Sequence, residues 1–155
     1  MKIFNSIRRI APSVAALLLL CSALVSCDSA RIFEENREIP GNAWRKSNRL
    51  SFTVAMTDTQ QVCNMYINIR HADFYPLSNI YLFITTVLPD GAQRTDTAEC
   101  ILADPDGQWR GDGLGDIWDN QILFRKNVVF PVAGTYRFEM EQGMRIDPLP
   151  GIMDA

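Results

Sequence analysis

Histidine is almost missing from this chain, and so are the short motifs that mark most enzyme active sites. The 155 residues include one histidine, His71, so a Ser-His-Asp hydrolase would have to use it. There is no nucleophile-elbow sequence, no HExxH and no Gly-rich phosphate loop followed by Lys and Ser or Thr. His71 follows Arg70 at a predicted strand end, and we interpret it as a surface histidine with satisfied hydrogen bonds. The sequence therefore predicts a protein that is not an enzyme and has no nucleotide, haem or zinc cofactor.

Basic residues are scarce in the part of the chain that we expect to be exported. The chain has 15 Lys and Arg against 18 Asp and Glu, and Lys2, Arg8 and Arg9 belong to the N-terminal segment. Without that segment the balance is 12 basic to 18 acidic residues, a net charge of −6. Because nucleic-acid binding needs a basic face, this balance excludes nucleic acid as a partner. It also leaves no polybasic patch for anionic lipid headgroups.

Long apolar runs are absent apart from one at the N-terminus. That run covers residues 10–25, follows a positively charged start and is too short for an ordinary spanning helix, as in a signal peptide. It ends in Leu24-Val25-Ser26-Cys27, where a small residue precedes a cysteine, as in lipoprotein cleavage sites. Cys27 is therefore the predicted lipid attachment site, and two acyl chains suffice for stable membrane anchoring.

Three segments follow from this cleavage site. We predict a lipoprotein signal peptide over residues 1–26, a lipid-anchored tether over residues 27–48 and a domain over residues 49–155, long enough to bury a core. Three large apolar side chains suggest that part of the tether docks on the domain: Ile32, Phe33 and Trp44.

Cysteine is rare, and two of the four cysteines are assigned to the signal peptide and the lipid anchor. Cys63 and Cys100 are left, in a compartment where disulfides can form. Alternation places both on inward strand faces, which fits a disulfide as well as two separate buried thiols. Without a CxxC pair, the sequence predicts no zinc site.

What the chain does contain is a period of two. Leu50, Phe52, Val54 and Met56 alternate with polar or small residues, as in a strand with one buried face. Similar runs predict strands over residues 50–57, 63–70, 79–88, 97–102, 121–130 and 136–141. The run 79–88 is apolar nearly throughout and predicts a central strand covered on both faces. Turns are expected at Pro89-Asp90-Gly91 and Ala133-Gly134. The fold class is an all-β antiparallel β-sandwich, immunoglobulin-like or jelly-roll-like.

The stretch DPDGQWRGDGLGDIWDN, residues 104–120, is the densest in aspartate, glycine and tryptophan. Asp104 and Asp106 fit the first two ligand positions of an EF-hand, but Gln108 and Trp109 stand where an acidic residue and the invariant glycine belong. The stretch could still bind calcium in another geometry, bind glycan through its tryptophans, or form a structured turn region with aromatic anchors. We favour the last interpretation and predict no metal. The candidate partner or ligand surface consists of Trp109, Asp112, Asp116, Trp118 and Asp119.

Four blocks of the chain, taken together, resemble the gliding motility lipoprotein GldH family. They are the Leu24–Cys27 site followed by Asp28, YPLSNIYLFITTVLPDG at 75–91, ADPDGQWRGDGLGDIWDNQ at 103–121 and FPVAGTYRFEMEQGMR at 130–145. The resemblance implies an exported protein, lipid-anchored in the outer membrane, that works with other envelope proteins of the motility and type IX secretion apparatus. It carries over no catalytic residue. It also implies a further short strand after GIMDA, whose loss would leave an unpaired sheet edge.

Overall fold

The computed structural model describes residues 31–155, and the regular structure of this part is almost entirely β. A 3₁₀ turn at Pro40–Asn42 precedes the first strand. The strands are β1 (Ala43–Trp44), β2 (Leu50–Met56), β3 (Val62–Ala72), β4 (Asn79–Val87), β5 (Gln93–Ile101), β6 (Asp112–Leu114), β7 (Ile117–Val129), β8 (Gly134–Gln142), β9 (Leu149–Pro150) and β10 (Ile152–Asp154). Within residues 31–155, no helix has the length and apolar character needed to span a membrane.

Two four-stranded antiparallel sheets build the fold. The first sheet has the order β10-β3-β7-β6 and the second has the order β2-β8-β4-β5. A third, two-stranded sheet joins β1 to β9. Ile67 and Ile69 of the first sheet share one buried cluster with Ile80, Leu82 and Ile84 of the second. The predicted all-β antiparallel β-sandwich is therefore confirmed.

Strand β4 is central, as predicted, but only one of its faces is covered. It lies between β8 and β5, and Ile80, Leu82 and Ile84 are at most 5% exposed. On the opposite face Tyr81 and Phe83 are 39% and 40% exposed. The prediction that both faces are covered was wrong, because large aromatic side chains on the outer face of this sheet made the whole run read as apolar.

The turn predicted at Pro89-Asp90-Gly91 is confirmed. The amide of Gly91 donates to the carbonyl of Leu88 over 2.9 Å between β4 and β5. Gly91 has a φ of 86°, a conformation that glycine adopts without steric cost. Strand β8 begins at Gly134, after a bend at Val132, and here the chain passes from the first sheet to the second.

The compact unit begins at an earlier residue than the predicted start of the domain at residue 49. The unit covers Glu35–Ala155, and Ile39 and Trp44 are completely buried in it. The predicted tether over residues 27–48 is therefore too long, because its second half belongs to the core. The predicted docking holds for Trp44, whereas Ile32 and Phe33 are 45% and 40% exposed. The predicted signal peptide and Cys27 lie outside the described residues.

The C-terminal segment lies against this N-terminal part. The amide of Arg37 donates to the carbonyl of Ala155, and that of Ile39 donates to the carbonyl of Met153, both over 2.8 Å. Strand β10 pairs with β3, and Ile152 is completely buried. The segment through Ala155 therefore covers the edge of β3 near residue 71.

Cys63 and Cys100 are free thiols in the structure. Cys100 is buried in β5, whereas Cys63 is only half-buried near the start of β3. Cys63 lies on the same face of β3 as Met65, Ile67 and Ile69, as alternation predicted, but this end of the strand is less deeply buried. The structure supports the interpretation as two separate thiols.

Candidate functional site

The predicted surface residues meet at one end of the sandwich, which we call the tip. The tip consists of residues 73–75 after β3, the connection 103–111, and the hairpin 112–119 formed by β6 and the start of β7. The amide of Asp73 donates to the carbonyl of Asp116 over 2.7 Å and so ties the first of these segments to the hairpin. The stretch 104–120 was expected to be a connection, and its second half is in fact this hairpin.

Trp109 anchors the connection to the end of β3. Its ring centroid lies 4.6 Å from that of His71 and 6.4 Å from that of Tyr75. Its indole Nε1 donates to Asp73 Oδ1 over 2.9 Å. Because the ring is half-buried and its polar atom is already paired, Trp109 stabilises the tip from within.

His71 is buried, and its interpretation as a surface histidine was wrong. It is 0% exposed, because Trp109 packs on its ring and β10 pairs beside it. Its Nδ1 lies 3.0 Å from the carbonyl oxygen of Ala72, so the neutral ring donates from Nδ1 and leaves a lone pair on Nε2. Nε2 has no hydrogen-bond partner among residues 31–155. Burial lowers the pKa of the imidazole, so the ring is neutral at physiological pH.

Trp118 is also a packing residue. It points to the inner face of β7, opposite Gly113 of β6. A Cβ at position 113 would come within 2.7 Å of the indole ring, so glycine lets the hairpin close over Trp118. Both rings are half-buried: Trp109 packs on His71, and the ring of Trp118 lies against Gly113. This geometry favours aromatic anchors over a glycan platform.

The aspartates of the tip do not converge on one point. Asp104 pairs with Arg110 over 2.6 Å, and Asp106 Oδ1 accepts from the amide of Gln108 over 3.3 Å. In the part of the chain that the structure describes, no three His, Cys, Asp or Glu side chains group in a way that could hold a metal ion. The contacts of Asp104 and Asp106 therefore stabilise turns within the connection 103–111. The alternative that the stretch binds calcium has no supporting geometry.

A row of charged residues crosses the outer face of the first sheet beside the tip. Asp154, Arg70, Asp119 and Asp112 are neighbours across β10, β3, β7 and β6. Arg70 pairs with Asp119 over 2.6 Å and with Asp154 over 3.0 Å. The hydrogen bond that Arg70 donates to Asp119 is the main cause of the raised pKa of Arg70. Asp112 has no ion-pair partner within residues 31–155, so the row holds three carboxylates and one guanidinium.

Two tip residues escaped the sequence analysis. Leu114 is 83% exposed and Phe74 is 68% exposed, more than any other large hydrophobic residue of the described chain. A possible signal for Leu114 was its position between two glycines in a turn, where no strand could bury it. Phe74 carried no such signal, because it follows a strand directly.

A groove of about 370 Å³ lies between β5 and β7. Its lining includes Cys100, whose thiol pKa is raised to about 11 by burial and, to a smaller extent, by Glu99. Arg125 and Asp96 form an ion pair of 2.7 Å in the same groove. Because the thiol is protonated at neutral pH, the groove presents no activated nucleophile.

Comparison with known proteins places these observations in a family. The model of the GldH lipoprotein family matches residues 31–155. The gliding motility lipoprotein GldH of Flavobacterium johnsoniae is 32% identical over 146 residues, which cover 90% of each chain. A gliding motility lipoprotein GldH homolog of Christiangramia forsetii is 31% identical over 154 residues, 95% of this chain and 94% of the relative. No solved structure matches the chain. The chain therefore belongs to the GldH lipoprotein family.

Proposed function

We propose that this protein is a non-enzymatic, lipid-anchored subunit of the cell envelope that binds a partner of the motility and type IX secretion machinery. The observation that carries the proposal is the construction of the tip. Its polar and aromatic residues are used to hold the backbone, while Phe74 and Leu114 face solvent. Such a surface suits recognition, since a backbone that is already ordered loses little further entropy on binding. The names of the two relatives support a role in gliding motility.

The lipid anchor is the first part of the proposal to test. We expect Cys27→Ala to abolish incorporation of an acyl label and to leave the unprocessed precursor, because the lipid is attached through this thiol. Cys21→Ala is the matched control, which should still be labelled and processed. Labelling that persists in Cys27→Ala would contradict lipidation at this site. Membrane fractionation of the labelled protein tests the proposed outer-membrane location.

Partner binding is tested by crosslinking in the native organism. A photoreactive residue is placed singly at several exposed positions of the full-length protein, and the products are identified by mass spectrometry. We expect a small, reproducible set of envelope proteins. If no position gives a discrete product while deletion of the protein still impairs gliding or secretion, the binding function is wrong.

A further inference from the structure

We infer that the outer face of the tip binds a protein segment that carries a basic side chain next to an apolar one. The basic group would lie between Asp112 and Asp119, and the apolar group would cover Leu114 and Phe74. This inference rests on the proposed function, because it specifies the chemistry of the partner that the protein holds. It assigns the contact to residues other than the two tryptophans, whose rings face inward.

Strand register brings the two exposed apolar residues to one edge of the sheet. Leu114 is paired with Ile117, and Ile117 is paired with Ala72 on the next strand. Two strand spacings therefore separate the backbones of Leu114 and Ala72, a distance of about 10 Å. Phe74 follows Ala72 by two residues, next to the hydrogen bond between Asp73 and Asp116. The register therefore places Leu114 and Phe74 at the same end of the first sheet.

The second requirement, a basic side chain on the partner, follows from the charges of the tip. Asp112 and Asp119 face each other across β6 and β7, and like charges in directly opposite positions destabilise a sheet. Arg70 already forms ion pairs with Asp119 and Asp154. It therefore does not compensate the charge of Asp112. A Lys or Arg of the partner would relieve this repulsion, and Arg could bind a carboxylate with two hydrogen bonds.

A second copy of the chain does not meet this requirement. The exported part has a net charge of −6, and the tip itself has an excess of aspartate, so two tips would repel each other. A metal ion is also disfavoured, because residues 31–155 contain no suitable group of three ligands. The occupant is therefore a different protein with an apolar contact inside a basic rim.

The experiment places the photoreactive residue at Gly115, beside Leu114, where a Cβ meets nothing within 4 Å. Because the φ of 67° at this position strains an L-residue, thermal melting first checks that this variant folds like the wild type. We expect a crosslinked partner peptide that contains Lys or Arg near a large apolar residue. Asp112→Lys and Leu114→Ser should each reduce the yield of that product by on the order of tenfold, as central contact residues do. Asp90→Asn and Val132→Ser, exposed changes outside the tip, are the matched controls and should leave the yield unchanged.

Several results would overturn the inference. They are an acidic partner peptide, capture of a second copy of the chain, or a yield that Asp112→Lys does not reduce. Thermal melting of each purified variant shows that a loss of product is not a loss of folding, since these side chains are exposed. If other positions capture a partner and position 115 does not, the chemistry assigned to the tip fails and the proposed function stands. If no position captures a partner, the proposed function fails as well.

Discussion

The imidazole of His71 lies in the dry interior under Trp109, and burial lowers its pKa from the ordinary value of 6.5. The Ala72 carbonyl and the charge of Asp73 oppose this effect and do not overcome it. The unfolded chain therefore takes up a proton near pH 6.5, while the folded chain does so only at lower pH. Acid thus favours the unfolded state, and stability falls as the pH drops below about 6.5.

This behaviour can be measured on the purified compact unit, Glu35–Ala155. We expect the free energy of unfolding from urea titrations to fall between about pH 7.5 and 5.5, with a slope of up to about 1.4 kcal/mol per pH unit. His71→Asn removes the only histidine, so its stability should be nearly constant over this range. An equally steep loss in the variant would show that other groups cause the acid sensitivity. The pKa of Asp154 is raised from 3.8, mainly by burial. This shift favours the folded state as the pH falls, which is opposite to the effect of His71, and it acts at lower pH.

At the scale of elements, the short strand β6 exists because residue 113 has no side chain. We expect Gly113→Ala to lower the free energy of unfolding by about 1–3 kcal/mol, because the new methyl group meets the Trp118 ring at 2.7 Å. Gly115→Asn is the control. Position 115 has a φ of 67°, which Asn tolerates, and open space around its Cβ. Equal stability of Gly113→Ala and wild type would mean that the ring moves aside freely.

The strands that the sequence predicted and the strands that it missed differ in one physical property. The predicted strands are long enough for a period of two to repeat, as in β2 with Leu50, Phe52 and Val54. The missed strands β1, β6, β9 and β10 have two or three residues each, too few for any period. Strands β1, β9 and β10 form because partners far along the chain reach them, as Leu149 does for Trp44, whereas β6 pairs with β7 directly after it. The residues of such a short strand do not indicate which distant segment pairs with it.

The candidate site shows the same limit. The aspartates and tryptophans of 104–120 were visible as a group, and the structure brings them to one end of the fold. Which of them face outward depends on the pleat of β7, which turns Trp118 inward and Asp119 outward. The contribution of Phe74 could not be predicted, because it comes from a segment some 40 positions away, joined to the hairpin by one backbone hydrogen bond.

At the scale of the whole compact unit, its N-terminal segment and its C-terminal segment are hydrogen-bonded to each other. Residues 37–44 run antiparallel to residues 149–155 through the Arg37–Ala155 and Ile39–Met153 hydrogen bonds and the β1–β9 pairs. Along this segment the chain proceeds from the level of Asn68, which donates to Asn36, to the level of Ala72 near the tip. The chain therefore enters the unit running toward the tip.

That direction of entry determines how the fold would carry mechanical load. If the N-terminal end is fixed and a partner pulls on the tip, force acts along the paired strands and loads their perpendicular hydrogen bonds together, in shear. Force between the N-terminal and C-terminal ends instead opens the same bonds one after another. In single-molecule pulling, we expect handles at residues 35 and 115 to give a clearly higher rupture force than handles at residues 35 and 155. Equal forces would mean that the paired ends do not bear the load. Anchored at one end and gripped at the other, the protein would act as a tension-bearing link.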